Sequence, residues 1–211
     1  MSFSGYICFP PANLSFTTLN TNSQLTTSTV GNNIAFQAAN SHSGDNLCGI
    51  YVAAPSTPYS CIMQVQTNPG DYINNNSTLT VLAGPGFYNG TTAVTMFNVW
   101  NNSYTMAMDT YNWTNTTTIG GTLAGNRIAQ GYPTANLAWF LCRDDGTDIY
   151  FYLGTDGTSE QQPTHWVLLY SESRTSHFTS GPTDVGFFLD SNGTSSQKTY
   201  YSLTSFQTVG L

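Results

Sequence analysis

Charge is the scarcest property of this chain. Asp, Glu, Lys and Arg make up 7% of its 211 residues, where an ordinary globular protein has roughly 25%. The fixed cations are Arg127, Arg143, Arg174 and Lys198, set against 11 acidic residues for a net charge of −7. Neutralising a run of phosphates takes a cluster of Lys and Arg, so scattered cations exclude nucleic acid and an anionic membrane surface as partners. Long apolar runs are missing too. None approaches the roughly 20 residues that span a bilayer, so no membrane insertion is expected. The opening MSFSGYICFPPANLS holds neither a basic stretch nor a continuous apolar segment. That predicts synthesis in a cytoplasm without a signal peptide. Glycine shows no three-residue period, which excludes collagen.

Cysteine is sparse and unpatterned. Cys8, Cys48, Cys61 and Cys142 form no CxxC, and no His lies at zinc-finger spacing from them. Buried free thiols are the expectation, in line with the preference of Cys for interiors. If any pair meets, the Pro-rich turn between Cys48 and Cys61 makes those two the candidates.

What fills the chain instead is Asn, Thr, Ser and aromatics. Aromatic residues are 14% of the total, too many for a disordered chain. The hydroxyls and amides keep the surface wet without charge, so stability should barely respond to ionic strength. Asn-x-Ser/Thr sequons at Asn13, Asn89, Asn112 and Asn192 follow from this composition and are not read as glycan sites.

Helical periodicity is nearly absent. About a dozen short β-branched and aromatic runs recur, bounded by Gly, Pro, Asn and Asp: NLSFTTL, IAFQA, CGIYVAAP, SCIMQVQT and STLTVLAGP, then AVTMFNVWNN and YTMAMDTYNW, then LAWFLCRDD, DIYFYLG, HWVLLYSES, DVGFFLD and YYSLTSFQTV. Such spacing is the signature of an all-β sandwich or barrel. No linker or composition shift divides the runs, so residues 1–211 read as a single domain. A short Asn-Ser step between AVTMFNVWNN and YTMAMDTYNW predicts a hairpin. Alternation predicts two faces. Ile149, Phe151 and Leu153 oppose Tyr150 and Tyr152; Val185, Phe187 and Leu189 oppose Gly186 and Phe188; Val167 and Leu169 oppose Trp166, Leu168 and Tyr170. Period-two strands of this kind suit antiparallel sheets packed face to face.

The acidic stretch RDDGTDIYFYLGTDGT tests for chemistry. A calcium loop of the EF-hand type needs oxygen ligands at alternate positions and a closing Glu at the twelfth. Counting from Asp144, the third position is Gly146 and the twelfth is Thr155. The spacing does not support structural calcium, and no other cofactor is expected. Asp-Gly is a strong turn signal, so Asp145-Gly146 and Asp156-Gly157 read as turns at the two ends of one strand. Glycoside hydrolysis uses two carboxylates flanking the scissile bond. The glutamates are Glu160 and Glu172, in a loop and at a strand end, and nothing in the sequence brings them together. There is no G-x-S-x-G elbow, no H-E-x-x-H and no phosphate loop. His42, His165 and His177 stand alone. No catalytic residue is assigned.

The later runs, LAWFLCRDDGTDIYFYLGTDGTSEQQPTHWVLLYSES, GPTDVGFFLDSNG and YYSLTSFQTV, together resemble the concanavalin A-like lectin/glucanase jelly roll. The likeness is to the version found as modules in bacteriophage virion proteins, and it covers roughly residue 84 onward. It implies two antiparallel sheets of six or seven strands, one of them curved, with saccharide usually held on the concave face. No position matches the catalytic acids of the family's active members. The resemblance implies a non-enzymatic structural protein of the virion surface, used for capsid decoration or for host-surface glycan attachment in the manner of a tail fibre. A free-standing carbohydrate-binding module and a glucanase-like glycoside hydrolase are the alternatives. Expected partners are other virion proteins, copies of the chain itself (a trimer being the common symmetry on a particle) and host-surface polysaccharide. For glycan binding the densest candidate is NVWNNSYTMAMDTYNWTN, with Trp100, Asn102, Tyr104, Asp109, Tyr111 and Trp113. Flat aromatic rings take the apolar C–H faces of sugars, and amides and carboxylates bind their hydroxyls. The competing reading makes several of these residues core or strand-edge aromatics.

Overall fold

Two seven-stranded antiparallel sheets form the protein. The computed structural model describes residues 9–39, 43–68, 81–100, 106–123, 137–190 and 198–210. The strands are β1 (Thr17–Asn20), β2 (Leu25–Val30), β3 (Asn33–Ala39), β4 (Leu47–Ala53), β5 (Tyr59–Asn68), β6 (Val81–Tyr88) and β7 (Ala93–Trp100). They continue with β8 (Met106–Asn115), β9 (Thr118–Leu123), β10 (Leu137–Asp144), β11 (Asp148–Gly154), β12 (Trp166–Ser173), β13 (Asp184–Asp190) and β14 (Lys198–Gly210). Sheet I has the order β1-β4-β13-β6-β7-β8-β9 and sheet II the order β12-β11-β10-β5-β14-β3-β2. The all-β jelly-roll expectation therefore holds.

The alternation read from the sequence sets the layers. Val185, Phe187 and Leu189 of β13 face sheet II and join a core with Phe36, Met63, Phe140, Phe151 and Phe206. Phe87 meets Phe151 edge-on at 5.2 Å between ring centroids. Phe188 points the other way. There it joins Leu47, Leu82, Tyr88, Phe97 and Trp113 in a second buried cluster on the outer face of sheet I. Sheet I is thus buried on both faces, which is why its central strands read as near-continuous apolar runs.

Glycine makes room for this second layer. Phe188 lies opposite Gly49 on one side and Gly84 on the other. A Cβ at Gly49 or Gly86 would come within 2.9 Å or 2.8 Å of its ring carbons. Pro85 sits inside β6, a central strand, where its missing N–H should break the ladder. The register with β7 runs from Ala83–Asn98 to Gly86–Thr95 and skips Gly84 and Pro85.

Several sequence expectations need correction. The Thr-rich segments LTTSTV and TIGGTL, which carry little apolar signal, are the edge strands β2 and β9. In β12 a bulge between Phe151 and Tyr152 of its partner lets the register skip Leu169. Leu169 is buried, whereas Val167 and Leu168 are 44% and 46% exposed and Tyr170 packs on the core. Strict alternation fails there because the bulge inserts one residue. Cys48 and Cys61 do not meet: they lie in β4 and β5, in different sheets. Cys61 instead lies directly opposite Cys142 of β10. Cys48, Cys61 and Cys142 are buried free thiols, and Cys8 lies outside the described residues. The Asp145-Gly146 step is a tight turn with Gly146 at φ +94°. Asp156 instead closes a longer loop, accepting from the backbone N–H groups of Thr164 and His165 at 2.9 Å each. The β7–β8 pairing ends at Trp100–Met106 as a hairpin requires; the connecting residues lie outside those described.

Candidate functional site

Asp109, Tyr111 and Trp113 alternate along β8, so all three face outward from sheet I, opposite Phe97, Thr95 and Ala93. The structure brings them together, but within the second hydrophobic layer. Trp113 is 1% exposed. Its indole N–H donates to Thr95 Oγ1 at 3.0 Å, and its ring stands edge-on to Phe97 at 6.2 Å. Asp109 is buried and accepts from the Tyr111 hydroxyl at 3.3 Å. Tyr111 is half-buried against Phe97. Asn102, Tyr104 and the side chain of Trp100 lie outside the described residues.

A polar cluster that sequence reading missed closes one end of the sandwich. Asp144, at the end of β10, is fully buried. Arg174 donates to it from Nε at 3.1 and 3.2 Å and from Nη2 at 3.1 Å. Arg174 Nη1 also reaches the Ser180 carbonyl at 3.1 Å, and its guanidinium fills the space beside Gly181, where a Cβ would collide with it. The pair pins the segment after β12 to the end of β10. Asp145 is equally engaged. It accepts from the backbone N–H groups of Asp148 and Thr147 and from the Tyr150 hydroxyl. These bonds lower its pKa. The aspartates of the acidic stretch therefore build turns. Among the described residues, no three of His, Cys, Asp and Glu group to hold a metal ion.

Glu172 lies beside this pin. It pairs with Ile149 across β11–β12, so its side chain takes the inward face. Glu172 Oε2 accepts from the Tyr170 hydroxyl at 3.1 Å and faces His177 Nε2 at 3.2 Å. Its other oxygen, Oε1, is buried without a hydrogen-bond partner. Burial raises the Glu172 pKa from 4.5 to about 7 and lowers that of His177. Both shifts favour a neutral pair, one proton held on the carboxyl with the imidazole uncharged. His177 is anchored in turn by its carbonyl, which accepts from Thr92 Oγ1 at 3.2 Å, and by its neighbour Phe178 in the core. A single acid holding a proton near neutrality has half the equipment of a glycosidase. The neighbouring Asp144 is neutralised by Arg174. The signal in the sequence was a Glu at an inward strand position, hidden by the bulge.

No protein-family model matches the chain, and no curated protein matches it. Solved structures do. A functionally unknown protein from Saccharomyces cerevisiae superposes with a TM-score of 0.59 at 8% identity, covering 93% of this chain and 96% of that one. The GH43 BlXynB protein from Bacillus licheniformis gives 0.62 at 12% identity, covering 100% of this chain and 40% of that one. The xylan β-1,4-xylosidase from Bacillus halodurans C-125 gives 0.51 at 12% identity, covering 82% and 32%. This chain therefore spans a third to two fifths of those two longer chains. At these identities the likeness is one of fold, a two-sheet antiparallel β-sandwich.

Proposed function

We propose that this chain is a non-enzymatic β-sandwich of a bacteriophage particle surface that recognises host-surface polysaccharide or decorates the particle. The observation that carries the reading is the union of a jelly-roll fold with an almost uncharged surface of hydroxyls and amides, as on β2, where Thr26, Thr27, Ser28 and Thr29 are all exposed. Neutral hydroxyl-rich surfaces suit neutral polyols, and a scaffold sealed by two hydrophobic layers suits life outside a cell. The resemblance of the chain from roughly residue 84 onward to phage virion modules supports the particle setting. The engagement of Asp144 by Arg174, on the same end of the sandwich as Glu172, supports a binding role over hydrolysis. Two fold neighbours, a GH43 protein and a xylan β-1,4-xylosidase, agree with polysaccharide as the ligand class.

Two measurements test this. Purified protein is passed over immobilised host-surface polysaccharides, and purified particles are probed for the chain by labelled antibody in electron microscopy. Saturable retention or a regular pattern on the particle supports the reading, and light scattering then tests for the expected trimer. Absence of both, with release of reducing sugar that Glu172→Gln abolishes, would replace it by the glycoside hydrolase reading.

A further inference from the structure

The two sheets do not close against each other along the margin formed by β1 and β2. A cleft of about 240 Å³ opens there, floored by Phe16, Ile34 and Ile50 and walled by Thr18, Thr27 and Thr29. The register fixes which way the threonines face. Thr18 lies opposite Ile50, Thr27 opposite Phe36 and Thr29 opposite Ile34. Those partners belong to, or pack on, the core between the sheets. Direct cross-strand partners share a face, so all three threonines occupy inward positions. Inward positions elsewhere carry apolar residues, such as Ile50 on β4, Met63 on β5 and Phe187 on β13.

Threonine and valine have nearly the same shape and differ in the hydroxyl. A margin built only to close the core would use valine, because a hydroxyl held dry without a partner loses its hydration. Here the three side chains line an open, hydrogen-bonding wall and are exposed. The floor is fixed: Phe16 stands edge-on to Phe206, with ring centroids 5.0 Å apart at 82°. Among the described residues, none that lines the cleft is charged.

We propose that this cleft between β1 and β2 is a binding site for a single neutral sugar ring, with hydroxyls bonded by Thr18, Thr27 and Thr29 and the C–H face laid on Phe16 and Ile34, above the buried Ile50. The inference rests on the saccharide reading above and gives it a location away from the aromatic layer of sheet I. The volume lies below the roughly 300–1,000 Å³ of pockets for drug-sized ligands, which limits the occupant to about one ring of a longer glycan. The uncharged lining selects against uronic and sialic acids, whose carboxylates would lack a partner.

The test is a titration of isotopically labelled protein with glucose, galactose, mannose, N-acetylglucosamine and glucuronic acid, followed by amide chemical shifts. Saturable shifts with a neutral sugar, confined to residues 12–18, 27–29, 34 and 50, are expected, with glucuronic acid silent. The Thr27→Val/Thr29→Val variant keeps the side-chain shape. Removing two hydrogen bonds to the ligand is expected to weaken binding about tenfold at unchanged melting temperature. Binding that survives this variant, with shifts on another surface, overturns the site and leaves the saccharide reading standing. No saturable shift with any sugar or host polysaccharide at millimolar concentration overturns both.

Discussion

Replacing Glu172 by Gln isolates the cost of one buried carboxyl. In the folded protein this group titrates at about 7, against 4.5 for the free side chain, chiefly because burial disfavours its charged form. The folded state therefore binds the proton more tightly than the unfolded chain. Its contribution is fully present below pH 4.5 and is lost as pH rises to about 7. The complete shift would amount to about 3.4 kcal/mol at 1.36 kcal/mol per pH unit. Glu172 sits at the rim, beside a His177 side chain that is 26% exposed, so screening by solvent cuts this to about 1.5 kcal/mol. Glutamine keeps the shape and cannot ionise. His177, lowered by burial, titrates in the opposite sense in both proteins and largely cancels in their difference. The variant and the parent should match near pH 4.5. At pH 8 the variant should be more stable by about 1.5 kcal/mol, or ~3–6 °C in melting temperature for a domain of this size. Calorimetry across that range measures it. A difference that is flat with pH, or a parent that gains on the variant as pH rises, would refute the reasoning, since Glu172 and His177 would then form a net stabilising ion pair.

Other expectations follow from the packing. Trp113→Ala should cost about 3–5 kcal/mol in chemical denaturation, because the indole is buried and bonded to Thr95; a loss below 1 kcal/mol would mark Trp113 as a surface residue. Gly186→Ala should destabilise by about 1–3 kcal/mol, since its Cβ would run into the Ile50 carbonyl oxygen; unchanged denaturant midpoints would contradict that close approach. Cys48, Cys61 and Cys142 should resist a thiol reagent in the native state and react fully on unfolding, as burial raises the thiol pKa of Cys61 and Cys142; native labelling at any of the three, located by peptide mass, would count against the core placement. Melting temperature should move little between low salt and molar sodium chloride, a steep dependence being the contrary result.

The fold was legible wherever side-chain period and turn chemistry agreed. DVGFFLD and DIYFYLG show their faces by alternation, and Asp145-Gly146 shows its turn by the residue pair the geometry needs. Edge strands β2 and β9 were opaque because half of an edge faces solvent, and threonines or glycines at successive positions leave no apolar–polar alternation to read. The bulge at Leu169 was invisible since it depends on the partner strand, and it concealed the inward turn of Glu172. The candidate site suffered most. A Trp, Tyr and Asp in one strand look alike whether they meet a sugar or a second hydrophobic layer. Only the lateral order of strands shows that the outer face of sheet I carries such a layer.

That lateral order has a bearing on how the chain comes into being. β14 lies between β5 and β3, well inside sheet II, and at 13 residues is the longest strand among the described residues. During synthesis, β2, β3, β5 and the β10–β12 meander are all made before the strand that joins them. Until residues 198–210 leave the ribosome, β5 and β3 lack the strand that pairs with both of them. Nascent chains should therefore stay protease-sensitive and depend on holding chaperones until late. Premature termination anywhere before Lys198 should yield aggregates, with no partly working fragment.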